Sequence, residues 1–215
     1  MKKIITLLLS MTMLTLGLCS CGAKDEAKST ETPISTEAPA ESDSTDLYAN
    51  KIGFTITMED GGIMKGELYP DVAPITVDNF VKLCEDNFYE GLIFHRVIPG
   101  FMIQGGGFDE EMKPKEAKSI KGEFAANGVK NDLKHTRGVI SMARTNVPDS
   151  ASSQFFIMHK DYPSLDGQYA AFGKVTEGLE IIDKIATTKT TMIPEMGMQD
   201  VPVEAQVIKS ITIQK

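Results

Sequence analysis

Hydrophobic patterning divides the chain into three regimes. From Ile4 to Leu18 runs an apolar stretch of fifteen residues, preceded by Lys2 and Lys3. From Gly22 to Asn50 large apolar side chains nearly vanish. Beyond Lys51 they return with two periods. One is the alternation of a strand, in which successive side chains point to opposite faces. The other is the three-and-four spacing of one helix face. Lys51–Met58 alternates, with Ile52, Phe54 and Ile56 on one face. Asp60-Gly61-Gly62 is a hairpin signal, and Ile63–Tyr69 returns as a second strand. Pro74 suits the first position of a helix, where its missing N–H costs nothing. Val77, Phe80, Val81, Cys84 and Phe88 then recur at helical spacing until Gly91.

Leu92–Ile98 and Phe101–Gln104 read as short strands about the Pro99-Gly100 turn, the second ending at a glycine turn, Gly105 to Gly107. Asp109–Arg137 is long, charged and irregular, and loops of that length are often functional. Gly138–Ala143, Gln154–Met158 and Tyr169–Val175 are apolar strands, and Val203–Ile213 closes the chain as another. Thr176–Ala186 reads as a helix with Leu179, Ile182 and Ile185 on one stripe. Many short strands with two helices predict a mainly β fold: a closed antiparallel barrel, which removes exposed edges.

The other regimes set the expected organisation. Residues 1–20 have the basic start, short apolar run and small residue of a secretory signal. Fifteen apolar residues fall short of the roughly 20 that span a bilayer as a helix. Leu18-Cys19-Ser20-Cys21 resembles a bacterial lipobox, which makes Cys21 the expected lipidation site and new N-terminus. A diacyl anchor holds a protein at a membrane, where one chain holds weakly. Residues 21–49 carry too little apolar surface to offset ordering entropy and read as a flexible acidic linker. Residues 50–215 suit one domain with its own core. With Cys21 acylated, Cys84 is the sole remaining thiol, so no intramolecular disulfide is expected. The net charge is −8, and no basic face for nucleic acid is visible.

The chemistry lies in Phe94-His95-Arg96-Val97-Ile98-Pro99-Gly100-Phe101-Met102-Ile103-Gln104-Gly105-Gly106-Gly107. Alternation aims Arg96 and Gln104 at one groove, with Phe101 and Met102 near its floor. No acid, base or nucleophile stands with them, which suits a substrate whose bonds are twisted rather than broken. Three further blocks follow: Lys134-His135-Thr136 leading into Gly138–Ala143; Ser153-Gln154-Phe155-Phe156-Ile157; and Leu165-Asp166-Gly167 with Phe172-Gly173-Lys174-Val175. In order and spacing these blocks closely resemble the cyclophilins, the cyclosporin-binding family of peptidyl-prolyl cis-trans isomerases.

The resemblance implies a closed barrel of eight antiparallel strands with a helix over each open end. It implies that Arg96 is catalytic and that Phe101, Met102, Phe156 and Leu165 form a proline pocket. It assigns Gln104 to substrate backbone and to holding the arginine, the backbone of Ala143 and Arg144 to the residue before proline, and Gln154 to a second rim amide. Tyr169 stands where many members carry histidine, and Ser164 where they carry tryptophan, so cyclosporin binding is expected to be weakened. The implied partners are proline-containing unfolded or partly folded polypeptides, met by a monomer outside the cytoplasm, lipid-anchored to a bacterial cell membrane, with no cofactor. A different class of reading is a module that binds Pro-containing segments as chaperone or adhesin with little turnover; Ser164 and Tyr169 leave it open. His95, His135 and His159 lack zinc-site spacing and read as structural. Gly105-Gly106-Gly107 lacks the Gly-Lys-Ser/Thr of a phosphate loop.

Overall fold

Alternation at the start of the domain becomes a hairpin. The computed structural model describes residues 48–214; the leader, Cys21 and the linker as far as residue 47 lie outside the described residues. Strand β1 (Ile52–Met58) turns Phe54, Ile56 and Met58 inward, and β2 (Ile63–Leu68) buries Met64, Gly66 and Leu68. The turn between them is fixed by Asp60, whose Oδ1 accepts the Gly62 N–H at 2.9 Å.

Helix α1 (Pro74–Glu85) begins at the proline and buries Thr76, Val77, Phe80 and Cys84. Its first turn has no side-chain cap of its own, because Ala73 occupies that position. Glu123, 48 residues away on the long loop, supplies one instead, accepting the Ile75 N–H at 3.1 Å. The helix stops before Phe88. Asn87 takes a left-handed φ of +53°, and the Phe88 N–H turns back to the Leu83 carbonyl at 2.9 Å.

Strands β3 (Leu92–Ile98) and β4 (Met102–Asp109) follow, then β5 (Val139–Met142), β6 (Phe155–Met158) and β7 (Ala171–Glu177). The expected glycine turn is not a turn, since β4 continues through Gly105–Gly107 to Asp109, with a register shift where Gly106 takes a φ of +81°. Here glycine serves close approach: a Cβ on Gly105 would lie 2.8 Å from the Ile93 carbonyl oxygen. Helix α2 (Leu179–Ala186) starts three residues later than its periodicity predicts. Thr176 and Glu177 stay in β7, and Gly178, at φ +80°, makes the corner.

A hairpin of β8 (Thr190–Ile193) and β9 (Met198–Pro202) was not predicted. No residue of β8 is buried, so it offers no alternation to read. The last strand, β10 (Ile208–Gln214), begins five residues after the expected Val203, which is 54% exposed.

The sheet order is β10-β1-β2-β7-β5-β6-β4-β3, and every ladder is antiparallel. The sheet curls until its two edges meet, which confirms the predicted class: mainly β, eight antiparallel strands, two helices. Closure is only partial. The seam is one bridge, Ile93 with Val207, flanked by Gly91 N–H to Ile208 O at 2.9 Å and Phe94 N–H to Gln206 O at 3.0 Å.

Inside, Phe80 anchors an aromatic cluster. Its ring meets Phe155 edge-on at 5.6 Å and lies 5.2 Å from Phe172 and 5.3 Å from Tyr89. Such pairs add roughly 0.5–1.5 kcal/mol each beyond burial. A second, smaller cluster (Tyr69, Met102, Leu133, Val139, Phe156, Met158 and Ala171) carries Phe101, Ala143, Leu165 and Tyr169 on its outer side. That outer side is where the site lies.

Candidate active site

Strand register assembles the site. Arg96 on β3 stands opposite Gln104 on β4, and Gln104 stands opposite Phe156 on β6. A bulge precedes Arg96: between Phe94 and Arg96 two residues of β3 answer one of β4. Bulges re-aim side chains. Here His95 is left buried, 2% exposed, while Arg96 emerges at the rim. Met102 lies two residues before Gln104, so the pleat places both on one face.

Loops finish the ring. Ala143 leaves the end of β5 with its N–H on the Gln154 carbonyl at 2.9 Å. Leu165 closes a short 3-10 turn, Pro163–Leu165. Tyr169 meets Phe156 edge-on at 5.7 Å. The result is a hollow of about 140 Å3 lined by Arg96, Phe101, Met102, Gln104, Ala143, Arg144, Phe156, Leu165 and Tyr169. Met102 and Phe156, 2% and 5% exposed, form an apolar floor.

The rim has its own supports. The Arg144 guanidinium lies between the Phe124 ring at 4.8 Å and the Tyr169 ring at 4.7 Å. It also donates to the Gln168 carbonyl at 2.8 Å. Cations over aromatic faces contribute roughly 0.5–1 kcal/mol each at open sites, so Arg144 holds Tyr169 in place. Beneath Phe156 the His135 ring stacks at 6.0 Å. Its nitrogens lie 3.1 Å from Asp166 Oδ1 and 3.1 Å from Ser141 Oγ. Burial holds the His135 pKa below its ordinary value, against the pull of Asp166. His95 lies against Phe108 at 4.8 Å, and burial pushes its pKa down to about 4.

Nine of the ten positions expected in the domain's site line one hollow. Gln154 does not. Its Oε1 accepts from Gln104 Nε2 at 3.0 Å, and its side chain faces a neighbouring hollow of about 520 Å3. This second hollow shares Arg96 and Gln104 with the first and is walled by His95, Phe108, Met196, Met198 and Asp200. Gln104, expected to hold the arginine, gives its amide to Gln154 instead. The partner of Arg96 is Asp200, whose Oδ2 lies 3.8 Å from the arginine Nε. Sequence reasoning missed Asp200 because it sits on the unpredicted hairpin, more than a hundred residues from Arg96, with no periodicity to mark it.

Chemically the arrangement offers a slot with an apolar floor for a small ring, a permanent cation at its edge, and amides beside it. Among the described residues no three His, Cys, Asp or Glu side chains gather as a metal site requires.

Residues 53–213 match the family described as cyclophilin type peptidyl-prolyl cis-trans isomerase/CLD. The chain is 49% identical to a peptidyl-prolyl cis-trans isomerase of Acinetobacter baylyi over 160 residues, 71% of this chain and 80% of that protein. It is similar in fold to the crystal structure of a cyclophilin type peptidyl-prolyl cis-trans isomerase of Cryptosporidium parvum. The TM-score is 0.64 at 28% identity, covering 77% of this chain and 99% of that one. A structure of the same protein in the presence of the dipeptide Ala-Pro gives a TM-score of 0.62 at 29% identity, covering 76% and 99%.

Proposed function

The chain belongs to the cyclophilin-type peptidyl-prolyl cis-trans isomerases, and from that premise we propose that Arg96 drives rotation of X-Pro bonds in exported proteins. The peptide bond resists rotation by ~18–20 kcal/mol because nitrogen shares its lone pair with the carbonyl. X-Pro bonds populate cis appreciably, yet exchange takes tens to hundreds of seconds. In the twisted transition state the prolyl nitrogen becomes pyramidal and regains its lone pair. Arg96 then donates a hydrogen bond to it. The planar ground state offers no such acceptor, so the interaction lowers the barrier rather than only tightening binding. Arginine suits the task because it stays charged and needs no proton exchange.

The observation that carries this reading is the position of Arg96 at the edge of a pocket whose floor is Met102 and Phe156. The Cryptosporidium protein crystallised with Ala-Pro supports a proline-sized occupant for the equivalent fold. One charge-assisted hydrogen bond contributes ~1.5–3 kcal/mol, or roughly 10–150-fold in rate. The apolar walls supply the rest by holding the ring and drying the bond, which strengthens the Arg96 contact. Gln104 and the backbone at Ala143 and Arg144 grip the substrate chain on either side.

The enzyme works outside the cytoplasm as a monomer, held on the membrane by a diacylglycerol on Cys21 and given reach by the linker. Its clients are unfolded or partly folded exported chains, and its cyclosporin affinity is weak for want of a tryptophan at Ser164. Refolding of a client limited by a slow X-Pro step tests the catalytic reading. Wild-type protein accelerates the slow phase and folded Arg96→Ala does not; acceleration surviving in Arg96→Ala assigns the effect to binding alone. Cys21→Ser tests the anchor: it moves the protein from the membrane to the soluble fraction, and unchanged membrane retention would rule the lipid out.

A further inference from the structure

Arg96 forms the wall between two hollows and is 40% exposed in its side chain. An open guanidinium on a flexible stem spreads over many rotamers unless something holds it. Among the described residues, the acid within ion-pair reach is Asp200, 3.8 Å from Nε.

The hairpin is bent to bring that acid there. Thr191 pairs with Val201 and Ile193 with Met198, so three steps along β9 answer two along β8. The extra residue falls in the segment holding Asp200, whose φ is +59°. Left-handed backbone is uncommon outside glycine, although Asp tolerates it better than most. Glycine would fit without strain. An aspartate kept at a strained bulge, with its carboxylate facing the arginine, is the pattern from which a functional role is inferred.

We propose that Asp200 is a positioning residue for Arg96. The guanidinium is planar, with donors in a fixed fork. A carboxylate holding Nε on the hairpin side therefore sets the plane of the whole group and turns its terminal nitrogens toward the pocket. The 3.8 Å separation exceeds a hydrogen bond. Catalytic hydrogen bonds often tighten only in the substrate complex, and the same is expected of this pair. The inference rests on the catalytic reading of Arg96.

The test compares wild type with Asp200→Gly, Asp200→Asn and Arg96→Ala in the full-length protein. It measures Tm, kcat and KM for an Ala-Pro peptide, and the NMR resonance of the Arg96 Nε–H. Both Asp200 variants should lower kcat about tenfold, with KM within about twofold, and move and broaden the Arg96 signal. Asp200→Gly should leave Tm unchanged or raised by about 2–4 °C, because the strain is released. If kcat in both variants stays within about twofold of wild type while Arg96→Ala is inactive, the positioning role is wrong and the arginine mechanism stands. A rise in KM alone would make Asp200 a substrate contact and overturn positioning. If Arg96→Ala keeps wild-type kcat, the mechanism fails first and this inference with it.

Discussion

Glu123→Ala should weaken the fold by an amount that can be worked from the structure. The Glu123 side chain is buried, the residue 3% exposed, and its carboxylate accepts three hydrogen bonds at the start of α1. These come from Thr76 N–H at 2.7 Å, Thr76 Oγ1 at 2.7 Å and Ile75 N–H at 3.1 Å. It thus replaces the cap that Ala73 cannot provide and sets a negative charge on the positive end of the helix. Ile75 is 44% exposed, so water can reach the helix end beside it after truncation. Thr76 is fully buried, so its N–H and O–H are left unsatisfied. Each buried orphan costs ~1–3 kcal/mol, and partial relaxation brings the expected loss to about 2–4 kcal/mol, against a typical total of 5–15. For a chain of this size that lowers Tm by roughly 5–15 °C. Urea unfolding checks it, with a lower midpoint and an unchanged slope. Glu123→Gln keeps one acceptor and should lose about half as much. A Glu123→Ala variant within about 0.5 kcal/mol of wild type, the range of an ordinary surface substitution, would refute the reasoning.

His95 and Gly107 give two further outcomes. Burial holds His95 neutral, with its pKa lowered from 6.5 to about 4. Above pH 6.5 neither state takes the proton. As pH falls from 6.5 towards 4 only the unfolded chain does, so the fold loses about 3 kcal/mol over that window. His95→Leu should remove that part of the pH slope in denaturant titrations; an unchanged slope would show that His95 is not its source. Gly107→Ala would place a Cβ 2.5 Å from the Gln154 side chain. Because Gln154 holds the Gln104 amide, KM for an Ala-Pro peptide should rise severalfold while kcat changes little. A KM within the error of wild type would disconnect the glycine from the rim.

The sequence was legible where burial alternates and silent where it does not. Ile52, Phe54 and Ile56 announce β1 because one face of that strand meets the core. Pro74 marks the start of α1 because its ring favours the first helical position. Seven of the nine pocket residues lie in the motif blocks and Arg144 and Tyr169 lie close beside them; register brings Arg96, Gln104 and Phe156 into one row, and loops add Ala143, Arg144, Leu165 and Tyr169. The β8–β9 hairpin escaped because β8 buries no residue and β9 buries only its last two, Val201 and Pro202, so neither strand alternates, and Asp200 escaped with it. Gly105–Gly107 misled for a related reason: glycine permits close approach in a strand as readily as a turn, and composition does not tell the two apart. Glu123 reads in sequence as one more loop acid; only the fold brings it to the uncapped end of α1.

In the proposed mechanism one arginine at the edge of an apolar pocket stabilises the twisted prolyl nitrogen. The most direct measurement is cis-to-trans exchange of an Ala-Pro peptide by wild type and by Arg96→Ala, with circular dichroism confirming that the variant folds. The mechanism predicts that wild type speeds exchange far beyond its spontaneous tens to hundreds of seconds. It predicts that the folded variant loses roughly 10–150-fold or more of kcat/KM. A folded Arg96→Ala within about threefold of wild type would contradict it.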